Sequence, residues 1–271
     1  MLNLTLPKLS TLLTVAAMAC VMQSAAAVQV RVTVRNTGVS DSVALSPIIM
    51  AAHDGSVDLF SSGSLASAGI EDVAEMGGPG ATLIGEVTTA QATAVTEVGV
   101  ATSGGFGPGI LIPGAEASYV LSLDPTMNRY FSYAAMVVPS NDSFIGNDDP
   151  MGVELFDGGG NFVGAGFELT GSQIWDAGSE VNDLAGAAYI DGGDAALGTE
   201  DSSPVSLVSD LNDQFGTYLG LTTPTGTTFN SLPPANEGFV TFSFQVVPEP
   251  ASYMIAGMGA LGLLLLRRRV A

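Results

Sequence analysis

The chain contains 271 residues, of which 27 are acidic and 7 basic, and its formal net charge is −20. This balance argues against a nucleic-acid-binding protein, because no basic patch is available to displace counterions from phosphate groups. Hydrophobic residues make up 46% of the chain and charged residues only 13%, which also excludes a disordered acidic tail. The 34 Gly and 14 Pro residues favour short strands and turns over a helical bundle.

The N-terminal segment is typical of a secretory signal peptide. An apolar run follows Lys8 and ends in small residues that suit signal peptidase, so we predict a signal peptide over residues 1–27 and a mature chain that begins at Val28. Two alternatives are a buried N-terminal helix and a lipoprotein acylated on Cys20, the single cysteine.

The body of the chain, residues 28–246, is predicted to form one β-rich domain. Valines alternate with polar residues from Val28 to Arg35, which indicates a strand with one buried face, and Asn36-Thr37-Gly38 ends it in a turn. The same alternation predicts a last strand over 240–246. Further strands are predicted over residues 118–122, 130–138 and 164–168.

One short helix is predicted within this body. Ser67 can cap its N-terminus, Glu71 and Asp72 favour its first turns, Ile70 begins an apolar face and Gly77 can end it. No linker or fixed-period repeat divides the body. We therefore predict an all-β fold, an antiparallel β-sandwich with a short helix and long Gly/Asp-rich loops.

Few catalytic motifs fit this sequence. The mature chain would hold one His and no Cys, which argues against a zinc site. A Ser-His-Asp triad would need His53, but His53-Asp54-Gly55 is typical of a loop, and we expect His53 to be structural or exposed in that loop. No Gly-x-Ser-x-Gly elbow accompanies it. The nucleotide-phosphate motifs are also missing from the sequence. We predict a protein that is not an enzyme.

Two segments concentrate oxygen ligands after apolar strands. Asp142 follows the predicted strand 130–138, and Asp176 and Glu180 lie four residues apart around a Gly-containing turn. Calcium takes six to eight oxygen ligands, often from loop carboxylates, so these two segments are candidate sources of ligands for Ca²⁺ or another divalent cation. The alternative is that Asp142 and Asp176 merely form Asx turns.

These segments resemble the spondin N-terminal domain. The sequence of residues 136–146 is similar to its Pro-Ser/Thr-x-Asp signature, and residues 175–180 are similar to its aromatic-Asp-Ala-Gly-Thr-Asp/Glu stretch. Residues 45–54 and 66–77 add motifs typical of bacterial members. The resemblance implies a C2-like β-sandwich of adhesion proteins with a divalent metal at one end, its ligands mapping onto Asp142, Asp176 and Glu180.

The C-terminus combines a proline motif, an apolar segment and a basic cluster. Pro248, Glu249 and Pro250 precede the apolar residues 253–266, and three arginines follow. As a helix this segment would be roughly 21 Å long, shorter than the ~30 Å hydrocarbon core of a bilayer. The order of these features resembles the PEP-CTERM sorting signal of Gram-negative bacteria; an ordinary C-terminal membrane anchor is the alternative.

This second resemblance implies a sorting route. It implies export through the inner membrane, processing by exosortase after transient anchoring through residues 253–266, and a final place at the cell surface or outside the cell, often beside exopolysaccharide. We therefore expect a calcium-binding adhesion or matrix protein associated with extracellular polysaccharide or biofilm. The alternatives are a secreted enzyme acting on surface polysaccharide and a structural coat protein without metal.

Overall fold

The computed structural model describes residues 27–78 and 80–248. These residues form eleven strands: β1 (Val28–Asn36), β2 (Ala44–Leu45), β3 (Ile48–His53), β4 (Val95–Gly99), β5 (Glu116–Leu123), β6 (Tyr130–Val138), β7 (Ser143–Gly146), β8 (Phe167–Thr170), β9 (Ile174–Asp176), β10 (Ser206–Leu207) and β11 (Gly238–Val246). They also form three α-helices: α1 (Ala68–Met76), α2 (Ala81–Ala90) and α3 (Leu211–Phe215).

The strands form two antiparallel sheets. The smaller sheet has the order β5-β1-β11-β8, and the larger has the order β10-β9-β7-β6-β3-β4, with β2 paired to β6. The main core lies between the sheets, where Val32 of β1 and Phe242 of β11 meet Phe131 of β6. The predicted all-β sandwich is confirmed.

A second apolar layer covers the outer face of the larger sheet. Ile70 and Val73 of α1 and Leu83 of α2 pack with Ile49 and Phe144 of this sheet. The predicted limits of α1 are confirmed, because the Ser67 hydroxyl accepts the N–H of Ile70 and Gly77 ends the helix in the left-handed region, with φ +54°. β6 is buried on both faces, and its residues are accordingly apolar over most of its length, with Ser132 as a polar exception.

Three details differ from the sequence predictions. α2 was not predicted, because its N-cap, Gly80, provides no side-chain hydrogen bond. The strand predicted over 164–168 begins only at Phe167, next to β11. His53 is the last residue of β3 and is fully buried, so the loop assignment was wrong and the structural alternative is correct.

Different parts of the chain lie at the two ends of the sandwich. Val28, Leu123 and Val246 lie at one end, which we call the terminal pole because the domain's first and last strands meet the rest of the chain there. Asn36 and Val138 lie at the other end, the distal pole, where the Asn36 amide and β2 link the two sheets. The nine residues of β6 separate the poles by about 26 Å.

The two predicted terminal segments lie almost entirely outside residues 27–78 and 80–248. The signal peptide, apart from its last residue, and the apolar segment 253–266 lie outside the described residues. Within residues 27–78 and 80–248, none of the helices has the length and apolar character needed to cross a membrane.

Candidate metal centre

Asp142 lies fully buried at the distal pole, four residues after the end of β6. Its Oδ2 accepts the N–H groups of Ser179, at 2.9 Å, and Glu180, at 3.0 Å. Its Oδ1 is also buried but has no hydrogen-bond partner. A buried carboxylate oxygen without a partner is costly, so this oxygen is available for a further ligand.

Asp176 is brought close to Asp142 by strand pairing. It ends β9 opposite Ser143, the residue that follows Asp142. Its Oδ1 accepts the N–H of Gly178 at 2.7 Å, which is an Asx turn. The Asx-turn alternative is therefore correct for one oxygen of Asp176. It does not describe Asp142, whose side chain reaches a different loop.

Glu180 completes the set of three predicted residues. Its side chain is largely buried, and the Asn141 amide donates to its Oε2 at 3.5 Å. The Gly198 backbone passes so close to the Glu180 carboxylate that a β-carbon on Gly198 would overlap it. The distal pole therefore requires glycine at position 198 to hold Glu180 in this place.

Glu75 is an acidic residue near this group that the sequence analysis missed. It lies in the last turn of α1, beside the Ser179 hydroxyl, and its negative charge raises the pKa of Asp142 and of Glu180. The helix dipole favours cations at this end of a helix, so an acid here is locally unfavourable. An acidic residue in the last turn of a predicted helix is the sequence signal by which Glu75 could have been found.

The group has the electrostatics of an uncompensated acidic cluster. Burial and then the charge of Asp176 raise the pKa of Asp142 to about 7. Burial and then the charge of Glu75 raise the pKa of Glu180 to about 7. Among the described residues the single side-chain ion pair, Arg129 with Glu154 at 2.9 Å, lies at the terminal pole. No Lys or Arg of the described chain therefore offsets these acids.

Neighbouring polar residues hold the loops of this site. The Asn141 Oδ1 accepts the Tyr218 hydroxyl at 2.6 Å and the N–H of Asp183 at 3.2 Å. Asp183 itself caps a turn by accepting from Ala185 and Gly186. Asn141 and Tyr218 therefore hold the loops in position, and the Asp183 carboxylate caps a turn of the backbone.

The arrangement is open rather than a closed metal cage. Within residues 27–78 and 80–248, no three His, Cys, Asp or Glu side chains are grouped closely enough to hold a metal ion by themselves. A cation would need main-chain, hydroxyl or water oxygens as well, which is common for calcium. The Ser179 hydroxyl, which is buried and has no hydrogen-bond partner, is such an oxygen.

His53 does not belong to this site. It lies toward the terminal pole, where it pairs with Tyr130. Its Nδ1 accepts the N–H of Gly55 at 3.1 Å, so Nε2 donates to the Ser132 hydroxyl at 2.9 Å. Burial lowers the pKa of His53 to about 4. The imidazole is thus a neutral, fully hydrogen-bonded core group.

Comparisons with known proteins agree with this architecture. Residues 35–185 match the Spondin_N family model, and this match covers more than half of the chain and all four acidic residues of the site. The chain belongs to the Spondin_N family. Residues 246–269 match the PEP-CTERM protein-sorting motif. No curated protein matches this Spondin_N chain.

The two matches together define the broad biology of the protein. The PEP-CTERM motif marks it as an exported protein sorted to the cell surface or the extracellular space of a Gram-negative bacterium, with processing by exosortase. The domain limits drawn from the sequence, 1–27, 28–246 and 247–271, stay a prediction.

Proposed function

We propose that this Spondin_N protein is a non-enzymatic surface protein that binds calcium, or another divalent cation, and acts in adhesion to extracellular polysaccharide or matrix. The observation that supports it best is Asp142, a buried carboxylate with one oxygen bound by two loop N–H groups and the other without a partner. Structural carboxylates are usually fully hydrogen-bonded, whereas ligands keep an oxygen free.

The chemistry of the donors favours a hard cation. The candidate ligands Asp142, Asp176 and Glu180 are carboxylates, Glu75 is a fourth candidate, and the nearby unpartnered donor is the Ser179 hydroxyl. Oxygen-only donor sets suit calcium or magnesium, whereas zinc prefers nitrogen and sulfur. A bound cation would supply the positive charge that relieves the repulsion among these acids.

The position of the site supports a role in surface contact. Val247 still donates to the Gln29 carbonyl, at 2.8 Å, directly before the sorting motif begins at Pro248. The folded domain therefore reaches the sorting signal at its terminal pole, and the acidic residues lie at the opposite pole. A partner outside the cell would meet the distal pole first.

The metal part of this proposal is tested by thermal unfolding of the processed protein with calcium or with a chelator. If calcium binds only the folded state, it stabilises the protein by about 2.7 kcal/mol at a concentration one hundred times Kd. The double variant Asp142→Ala/Asp176→Ala should lose this increment. The matched control is Asp124→Ala/Asp157→Ala, which removes two partly exposed Asx-turn aspartates near the terminal pole. An equal calcium response in the wild type and the first variant would reject the site.

The adhesion part is tested by co-sedimentation with the host's extracellular polysaccharide. Binding should require calcium and should be lost in Asp142→Ala/Asp176→Ala but kept in the control double variant. Release of soluble sugar from the polysaccharide by the protein would instead support the enzymatic alternative and contradict this proposal.

A further inference from the structure

A second pocket at the distal pole lies between β2 and a turn over residues 223–227, and its volume is about 220 Å³. Its apolar wall includes Ala44, Ile112 and Phe229. Hydroxyl groups form much of the remaining wall, and they come from Ser40, Ser42, Tyr189, Thr223, Thr225 and Thr227. The volume is below the range of about 300–1,000 Å³ that is usual for drug-sized ligands, so the pocket suits a smaller ligand.

Two of these hydroxyl groups are buried without a hydrogen-bond partner. Ser42 is 8% exposed, and its Oγ is the first of them. The second is the Tyr189 hydroxyl, which lies near the Thr225 side chain but without the geometry of a hydrogen bond to it. The described residues contain four such side-chain atoms, and the other two, on Asp142 and Ser179, belong to the metal site. Because a buried hydroxyl without a partner is costly, both groups in the pocket are available to a ligand.

Tyr189 occupies the pocket wall at a conformational cost. Its φ is +65°, and it is the one described residue other than glycine with a positive φ. Bulky residues are rarely found in this left-handed region, and such outliers concentrate at functional sites. Its ring packs edge-on against Phe106, with centroids 6.3 Å apart, which holds the ring in place. The backbone is therefore strained at a residue whose hydroxyl has no partner within the fold.

Hydrogen bonds fix the chain segments that surround the pocket. The Asn36 amide donates to the Val43 carbonyl at 2.9 Å and to the Leu111 carbonyl at 3.0 Å, and both acceptors adjoin residues of the apolar wall. The Asp41 carbonyl accepts the N–H of Asn230 at 3.0 Å, beside Phe229. The walls are thus in place before a ligand arrives, which lowers the entropy cost of binding.

The groups in the wall distinguish between classes of ligand. A bare cation needs six or more oxygens within about 2.6 Å of one point, which a pocket of this volume does not suit. An anion would meet the Asp41 carboxylate, and no described Lys or Arg lines the pocket. An apolar ligand would leave the Ser42 and Tyr189 hydroxyls without partners. A sugar ring has hydroxyl groups that both donate and accept, and its C–H faces can pack on Ile112 and Phe229.

We propose that this pocket binds one neutral sugar unit of the extracellular polysaccharide. The Ser42 and Tyr189 hydroxyls would form hydrogen bonds with sugar hydroxyls, and the Asp41 carboxylate would accept from others. This inference rests on the polysaccharide part of the proposed function and adds to it the place where the polymer is held.

The pocket is connected to the metal site through the backbone. Ala188, next to Tyr189, donates its N–H to the Ser140 carbonyl at 2.9 Å. Ser140 lies two residues before Asp142 in the same loop. A cation that fixes the loop of Asp142 would therefore also hold the loop of Tyr189, so calcium is present in the experiments below.

The first experiment is NMR of the processed protein labelled with ¹³C in the tyrosine rings. Five of the six tyrosines lie in residues 28–247, and among these Tyr189 alone lines the pocket. The probes are the monosaccharides obtained by acid hydrolysis of the host's extracellular polysaccharide. At least one of them should shift the Tyr189 signal in a saturable way and leave the signals of Tyr119 and Tyr130 unchanged.

The second experiment removes the two unpartnered hydroxyl groups. Ser42→Ala/Tyr189→Phe should weaken binding of the same sugar by roughly tenfold or more in titration calorimetry, because two hydrogen bonds to the ligand are lost. Its melting temperature without sugar should not fall, because neither hydroxyl has a partner within the fold. A structural role of these hydroxyls would instead lower the melting temperature.

The matched control is Ser118→Ala/Tyr119→Phe, which also removes one Ser and one Tyr hydroxyl. These two groups are hydrogen-bonded, Ser118 to the Thr33 hydroxyl at 3.1 Å and Tyr119 to the Val100 carbonyl at 3.2 Å. The control should therefore melt at a lower temperature than the wild type and bind the sugar equally well.

Four results would overturn this inference. The first is a Tyr189 signal that none of the monosaccharides shifts. The second is equal sugar binding by the wild type and Ser42→Ala/Tyr189→Phe, and the third is a lower melting temperature of that variant. The fourth is an equal Tyr189 shift with ethylammonium chloride, which would mean a cation site.

Co-sedimentation with the intact polysaccharide separates this inference from the proposed function. Binding that is lost in Asp142→Ala/Asp176→Ala but kept in Ser42→Ala/Tyr189→Phe would uphold the proposed function and reject the pocket as the place of the polymer. Wild-type protein that does not sediment with the polymer, while a monosaccharide still shifts the Tyr189 signal, would reject adhesion and support the sugar pocket.

Discussion

Two buried polar groups lie toward opposite poles of the larger sheet, and they differ in how completely they are hydrogen-bonded. His53, toward the terminal pole, uses both ring nitrogens, and the Ser132 hydroxyl that it binds also accepts from Asn147. Asp142, at the distal pole, is equally buried but leaves one oxygen without a partner. The first group stabilises the fold, and the second has an oxygen that can bind something else.

The electrostatic surroundings sharpen this contrast. Burial is the main cause of the pKa shift in both groups, and it favours the neutral form of each. For His53 the neutral form suits its two hydrogen bonds. For Asp142 the neighbouring Asp176 and Glu75 add like charge, which a cation would relieve. We therefore expect mutations at the two positions to have opposite consequences for stability and for calcium binding.

The largest expected effect is on the His53 side of this comparison. His53→Ala would leave a cavity and two unpaired polar groups, so it should lower the free energy of unfolding by about 3 kcal/mol. The calcium response should be unchanged, because about 26 Å of β6 separates the poles. Urea unfolding with calcium and with chelator would measure both. If the His53→Ala protein still folds but no longer responds to calcium, the two positions are not independent, which would contradict this prediction.

The pH dependence of the free energy of unfolding should reveal the contribution of His53. Because the folded-state pKa of His53 is about 4, below its ordinary value of 6.5, the unfolded chain binds a proton between these pH values that the folded chain does not. The contribution of His53 to the free energy of unfolding, up to roughly 3 kcal/mol, is therefore lost as pH falls from about 6.5 to about 4. The difference in urea-unfolding free energy between wild type and His53→Gln should shrink over this window. A constant difference would mean that His53 is not buried in its neutral form.

The smallest expected effect is a gain of stability on the Asp142 side. Asp142→Asn removes a buried negative charge from the acidic cluster, so without metal it should raise the free energy of unfolding at pH 8 by about 1 kcal/mol. The gain should shrink as pH falls from about 7, because the folded wild type then protonates Asp142. The same variant should lose the calcium response. Destabilisation at pH 8 without metal would show that the carboxylate has a structural role.

Much of the fold was predictable because its signals are local. Alternating valines in β1 and the matching alternation in β11 reflect the two-residue period of a half-buried strand, and the two strands pair in register from Val30 to Asn36. The limits of α1 followed from Ser67 and Gly77, whose capping chemistry acts within one helical turn. By contrast, α2 has no capping side chain and is stabilised by packing on Ile49 and its neighbours.

The sequence by itself determined the β-sandwich, the sorting motif at its end and the identity of three candidate ligands, because periodicity, composition and short motifs are properties of neighbouring residues. The tertiary structure alone decided that His53 is a fully hydrogen-bonded core residue and that Glu75 of α1 lies near enough to Asp142 to raise its pKa. Both features depend on which segments, distant in the sequence, pack together at each pole. This packing determines burial and hydrogen bonding, so neither can be predicted from the pattern of neighbouring residues.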